Sequence, residues 1–263
     1  MSQVAQDAII TLALQLADDD FLFAYRGSEW LGIAPHIEED VASASISQNS
    51  MGHAAMFYEL ASELGAGTVD ELAHGRKAIE RKNSILVERV NGPGSYMGQP
   101  AYDFAYAVVR NYFYTEAKKI KMDSLENSAC EALREIATKV NMELHYHIFH
   151  WKTWFVALIQ ANDEAKVRMT TAITRVMEDF GDLFSYGHDA AKIEAAQLIE
   201  TEEVLAARFT DTVGQVLASV GLNEDMLAYT CKQNGRNHIH TDDLTAALAT
   251  LSEVYRTDVT AAW

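Results

Sequence analysis

The sequence predicts an all-α chain, and three observations carry that expectation. Only three prolines and fourteen glycines occur in 263 residues, so the two residues that most often break helices are scarce. Apolar residues recur at three- and four-residue spacing along nearly the whole chain, while strand-like alternation is rare. Two incomplete metal motifs, Ser50-x-x-His53 and Glu143-x-x-Tyr146-His147, lie inside two of the longest periodic stretches.

Taken in order, the first helix is expected over about Val4 to Tyr25. Arg26-Gly27-Ser28-Glu29-Trp30 then turns a corner, with Arg26 and Glu29 spaced for a local salt bridge and Trp30 for a packing anchor. Pro35 disfavours helical geometry at the residue before it and suits a helix start just after it. The second helix therefore runs from there to about Leu64, where Gly65-Ala66-Gly67 can cap it. A short helix follows over about Val69 to Asn83. The run from Asn91-Gly92-Pro93-Gly94 through Gln99-Pro100 breaks the periodicity and is a loop. Further helices are expected over about Ala101–Leu125, Ser128–Ile159, Asp163–Tyr186 and Asp189–Val220, with a last one starting at an N-cap at Thr241. No repeat or Pro/Ser-rich linker divides the chain, so one domain over 1–263 is expected.

Composition excludes several functions. An apolar fraction of 49% is enough for a buried core and excludes wholesale disorder. A net charge of −17 argues against nucleic acid and against anionic membrane surfaces, and it suits a basic partner face. No apolar run approaches the roughly 20 residues that span a bilayer. Met1 to Leu16 carries neither a basic n-region nor a cleavage site, so no secretory peptide is expected. Cys130 and Cys231 lack metal-type spacing and read as two reduced, buried thiols of a cytoplasmic protein. Nucleophile elbows, Cys-x-x-Cys and phosphate- or dinucleotide-binding glycine loops are missing.

The candidate chemistry lies on the helices. Glu39, Ser43, Ile46, Ser50, His53 and Phe57 follow a 4-3-4-3-4 spacing and share one face of the second helix. Glu143, His147, His150 and Trp154 share a face of another long helix, and Val108, Tyr112, Thr115, Lys119 and Met122 form the inward face expected between them. A four-helix di-iron protein takes Glu-x-x-His from each of two helices and one carboxylate from each of the other two. Here Ser50 and Thr115 stand where carboxylates are wanted, and Tyr146 where histidine is. Glu143, His147 and His53, with Asp18, Asp19 or Asp20 as weaker candidates, do not complete the set. A buried polar network of Glu143, His53 and His147, with Lys119 or Tyr146, is expected in its place. His36, His74 and His188 are read as exposed. Arg236, His238 and His240 precede the last helix, either as a basic loop for a partner or anionic ligand or as a helix-start turn.

These positions fall among a larger ordered set. It comprises Arg26-x-x-Glu29-Trp30 with Gly32 and Ala34-Pro35, Glu39-Asp40 leading to Gly52, Leu86-Val87-Glu88 with Asn91-Gly92, Arg110-x-Tyr112-Phe113, Glu143-x-x-Tyr146-His147 with Trp154, and Gly235 through His240-Thr241-x-x-Leu244 with Trp263. With this set the chain resembles the phenylacetate catabolic protein family. The resemblance implies a ferritin-like helical bundle with additional helices. In that family one subunit is the di-iron catalyst that epoxidises the ring of an aromatic CoA thioester. A second subunit of similar fold lacks a working iron site and stabilises the first, and a flavin and iron–sulfur reductase supplies electrons. The broken motifs match the second kind. The resemblance thus implies a non-catalytic subunit with no cofactor of its own, a homologous di-iron partner carrying the iron, and an aromatic CoA thioester met through the complex. His53 departs from the glutamine expected there. The alternatives are a metal-dependent oxygenase in its own right using Glu143, His147 and His53, and a stand-alone acyl-CoA-binding helical protein.

Overall fold

Side-chain caps mark where three of the helices begin. His36 accepts the Glu39 amide through Nδ1 at 3.3 Å, Asp103 accepts the Tyr106 amide at 3.2 Å, and Asn162 accepts the Ala165 amide at 2.8 Å. The computed structural model describes residues 3–261, so Trp263 lies outside the described residues. Its helices are α1 (Gln3–Ser28), α2 (Ile37–Glu63), α3 (Ile85–Glu88), α4 (Phe104–Leu125), α5 (Glu131–Ala161), α6 (Asp163–Glu178), α7 (Ala190–Ala195), α8 (Glu202–Ser219), α9 (Asp242–Leu251) and α10 (Glu253–Thr257). No strand occurs among the described residues. The fold is all-α and of the ferritin-like helical class, as expected.

The chain forms two compact units. The first comprises residues 3–90, 187–192 and 234–261 and is built on an antiparallel hairpin of α1 and α2, with α3 and α9 packed on α1. Its core includes Phe21, Phe57, Tyr58 and Leu86. The second comprises residues 91–186 and 193–233 and is built on a hairpin of α4 and α5, with α6 against both and α8 against α4. Aromatic rings fill it: Phe180 lies 4.6 Å from Phe209, and Tyr112 lies 5.0 Å from Phe155. In α4, 18 of 22 residues are buried, so this helix is enclosed on nearly every side.

Three expected elements differ, each because a tertiary contact outweighs local propensity. Residues 69–83 do not form one helix. A π-helical turn at Glu71–Gly75 and a 3-10 turn at Ala78–Glu80 flank an extended Arg76, which sends its guanidinium into the first unit's core. The helix expected over 163–186 stops at Glu178, and Gly181 then passes so close to Cys231 that a β-carbon would lie 2.5 Å from Cys231 Cα. The helix expected over 189–220 is broken between Ala195 and Glu202. There Gln197 adopts a left-handed φ of 52°, the Ala129 amide donates to its carbonyl, and the Glu200 amide donates to Ser124 Oγ. Cys130 is half-buried and Cys231 exposed, both free, which corrects the expectation of buried thiols.

Candidate functional site

Three consecutive aspartates in the middle of a buried helix dominate the first unit. Asp18, Asp19 and Asp20 are each at most 2% exposed, and an isolated carboxylate at such depth is strongly disfavoured. Asp18 is answered by two arginines, a tyrosine and a backbone amide. It pairs with Arg76 in a bidentate contact, takes a hydrogen bond from Arg81 at 3.1 Å and another from the Tyr58 hydroxyl at 2.6 Å, and accepts the Lys82 amide at 2.8 Å. Burial alone would raise its pKa, but the Arg76 and Arg81 charges outweigh that and hold it at about 2. Asp19 accepts both ends of the Arg236 guanidinium, at 2.9 and 2.7 Å, and the Ser84 amide at 2.8 Å. Arginine suits these partners because its planar fork meets both oxygens of a carboxylate at once.

Arg236 is therefore inside the fold and 2% exposed, so its loop presents His238 and Ile239, and not Arg236, to the surface. Gly235 makes this possible. A β-carbon there would collide with the Asn83 carbonyl oxygen, so only glycine lets Arg236 come this close to Asp19. His240 is turned inward as well. Its Nδ1 lies 2.8 Å from Glu88 Oε2 and its Nε2 lies 3.0 Å from the Arg81 carbonyl oxygen. The same carboxylate accepts from Asn83 Nδ2 and from the Thr241 amide. Thr241 does occupy the N-cap position of α9, but Glu88, and not the Thr241 side chain, receives a helix-end amide. At the corner after α1, Arg26 meets Glu29 at 3.1 Å and the Glu88 carbonyl at 2.7 Å, while Trp30 is buried. His36 and His188 are exposed as expected. His74 is half-buried instead, against Phe21 and the Leu251 carbonyl.

On α2 the expected polar face is real. Glu39, Ser43, Ile46, Ser50, His53 and Phe57 are all buried, with the Ser43 hydroxyl donating to Glu39 at 3.0 Å. In the second unit the expected inward face of α5 is rotated. Its buried seam runs Val140, Leu144, His147, Trp151, Phe155 and Ile159. At 100° per residue His147 lies at the edge of that seam, and Glu143 falls about 90° from its centre. Glu143 and Tyr146 are accordingly exposed. His147 is buried, and burial with the nearby Lys118 and His150 charges lowers its pKa to about 3, so the ring is neutral. Thr115 is buried and its hydroxyl donates back to the Asn111 carbonyl at 2.6 Å, within its own helix. Glu116, off the expected face, is also buried because α4 is enclosed all round. Desolvation raises its pKa against the opposing effects of Tyr112, Lys152 and Lys119.

These donors do not fit a di-iron centre. Asp18 and Asp19 are taken up by guanidinium groups and the Thr115 hydroxyl by its own helix, while Glu143 is exposed. Among the described residues, no three His, Cys, Asp or Glu side chains are grouped to hold a metal ion. Nor is any described helix long and apolar enough to cross a membrane.

Sequence reasoning missed Arg76, Arg81, Tyr58 and Asn83. The signal available for them was the aspartate triplet itself, since buried charges require counter-charges, but nothing in the spacing said which arginines would supply them.

The chain is 29% identical over 248 residues to the C subunit of 1,2-phenylacetyl-CoA epoxidase of Escherichia coli (strain K12), covering 92% of this chain and 94% of that protein. The family model for phenylacetic acid catabolic proteins matches residues 1–263. With that match over its whole length, the chain belongs to the phenylacetic acid catabolic protein family.

Proposed function

We propose that this chain, acting as one domain over 1–263, is the non-catalytic structural subunit of a multicomponent ring 1,2-phenylacetyl-CoA epoxidase in the cytoplasm. It would support a homologous di-iron catalytic subunit during aerobic phenylacetate degradation. The observation that carries the reading is the fate of the buried carboxylates. Asp18 and Asp19, on a helix that could have offered metal ligands, are committed to Arg76, Arg81 and Arg236. A guanidinium bound in this way balances the carboxylate charge that a metal would otherwise balance. The similarity to the bacterial epoxidase's C subunit supports the same assignment. The iron, the electron-delivering reductase and the aromatic CoA thioester then belong to the complex, and this chain carries no cofactor.

The test is reconstitution. The catalytic subunit and reductase are assayed for phenylacetyl-CoA epoxidation with and without this chain. Turnover that requires this chain and survives His53→Ala and His147→Ala supports the reading. Turnover independent of the chain, or abolished by either substitution in a folded complex, contradicts it.

A further inference from the structure

We infer that the outward face of α5 centred on Met142, Tyr146 and Phe149 is the surface that docks the catalytic partner, through a helical face carrying Lys or Arg at one end. This rests on the functional reading above. The three side chains are 64%, 72% and 70% exposed. Their 4-3 spacing stacks them on one side of a 31-residue helix, opposite the seam that packs on α4 and α6. An unbroken Met–Tyr–Phe stripe on a surface helix costs solubility, and these are residue types enriched where proteins meet.

Charge selects the occupant. Toward the N-terminus the stripe continues into exposed Glu131 and Glu135, with exposed Glu143 at its flank and Lys139 the basic residue among them. Toward the C-terminus it ends in exposed Thr153 and Ala157, which carry no charge, with Lys152 at the flank. A second copy laid antiparallel about Tyr146 would set Ala157 opposite Glu135, leaving the glutamate without a counter-charge. Two copies at −17 each would further repel. A different chain with an apolar centre and basic residues facing Glu131 and Glu135 satisfies both ends.

The experiment measures binding between the separately purified catalytic subunit and this chain by calorimetry. Tyr146→Glu and Phe149→Glu are predicted to weaken binding at least about tenfold, as hot-spot truncations at interface centres do. Glu135→Lys should weaken it several-fold at low salt and less at high salt. Ile37→Glu, at an exposed apolar position on α2, should change it less than about twofold. Wild-type binding that all three α5 variants retain overturns the docking face. Loss with Tyr146→Glu but not with Glu135→Lys overturns the basic counterpart. A wild-type homodimer in sedimentation that Tyr146→Glu dissolves would overturn the choice of partner. Failure of the wild-type chain to bind the catalytic subunit at all would sink the functional reading itself, a different outcome from these.

Discussion

Glu88 and His240 form a buried ion pair that ties the start of α9 to α3. Both ring nitrogens of His240 face acceptors, the Glu88 carboxylate at 2.8 Å and the Arg81 carbonyl at 3.0 Å. A carbonyl cannot donate and an ionised carboxylate cannot either, so this pair of acceptors favours the doubly protonated ring, an imidazolium. Glu88 is 0% exposed and also accepts from Asn83 and the Thr241 amide, so every one of these contacts brings it a donor.

This pair makes stability depend on pH in a defined direction. Burial alone would lower the His240 pKa, but the Glu88 hydrogen bond and charge, with the Arg81 carbonyl, hold it above its ordinary value. The folded state therefore keeps the proton to higher pH than the unfolded chain does. The stabilisation is fully present below about pH 6.5 and is lost as pH rises through the raised value. Thermal melts from pH 6 to pH 9 should show wild-type Tm falling toward that of His240→Gln as pH rises. A gap between the two that is constant across the range would refute the imidazolium assignment.

Asp18 works at the other end of the scale. Its pKa is held at about 2 by Arg76 and Arg81, so its contribution is present above the unfolded value of 3.8 and lost as pH falls toward 2. Asp18→Asn should cost about 3–5 kcal/mol near pH 7, because it leaves Arg81, wholly buried, without its counter-charge. Urea unfolding would measure this. A loss under about 1 kcal/mol would show that the arginines find other partners.

Gly235→Ala should destabilise the chain by more than about 2 kcal/mol, since the added carbon runs into the Asn83 carbonyl and the backbone must shift. The Arg236–Asp19 contact would lengthen with it. An alanine variant with unchanged urea midpoint would mean that the close approach is not needed to seat Arg236.

Thr115→Val should change stability by less than about 1 kcal/mol. The hydroxyl bonds only the carbonyl one turn back, and valine keeps its shape. A large loss in the same unfolding assay would mean the hydroxyl serves a partner beyond its own helix.

The fold was largely legible in the sequence because long amphipathic helices leave a periodic record. The α2 stripe from Glu39 to Phe57 was read residue by residue and is buried as expected. The α5 face was read one edge too far. Glu143 and His147 share a side by spacing, but the centre of the seam is set by Leu144 and Trp151, and a helix's rotation against its neighbours depends on packing that no spacing encodes. For Arg236 the local pattern offers only a basic loop for a partner or anionic ligand or a helix-start turn. The burial of this arginine follows from Asp19, 217 residues away in sequence, and pairing at that range is invisible to local pattern. The breaks at Arg76 and Gln197 likewise come from distant contacts, where tertiary hydrogen bonds outweigh a helix-forming sequence.

The most direct test of the account is the iron content of this chain expressed alone under iron-replete conditions. The account predicts iron well below one atom per chain, unchanged in His53→Ala. One or two tightly held iron atoms per chain, lost on His53→Ala or His147→Ala, would contradict it and make this chain a metalloenzyme in its own right.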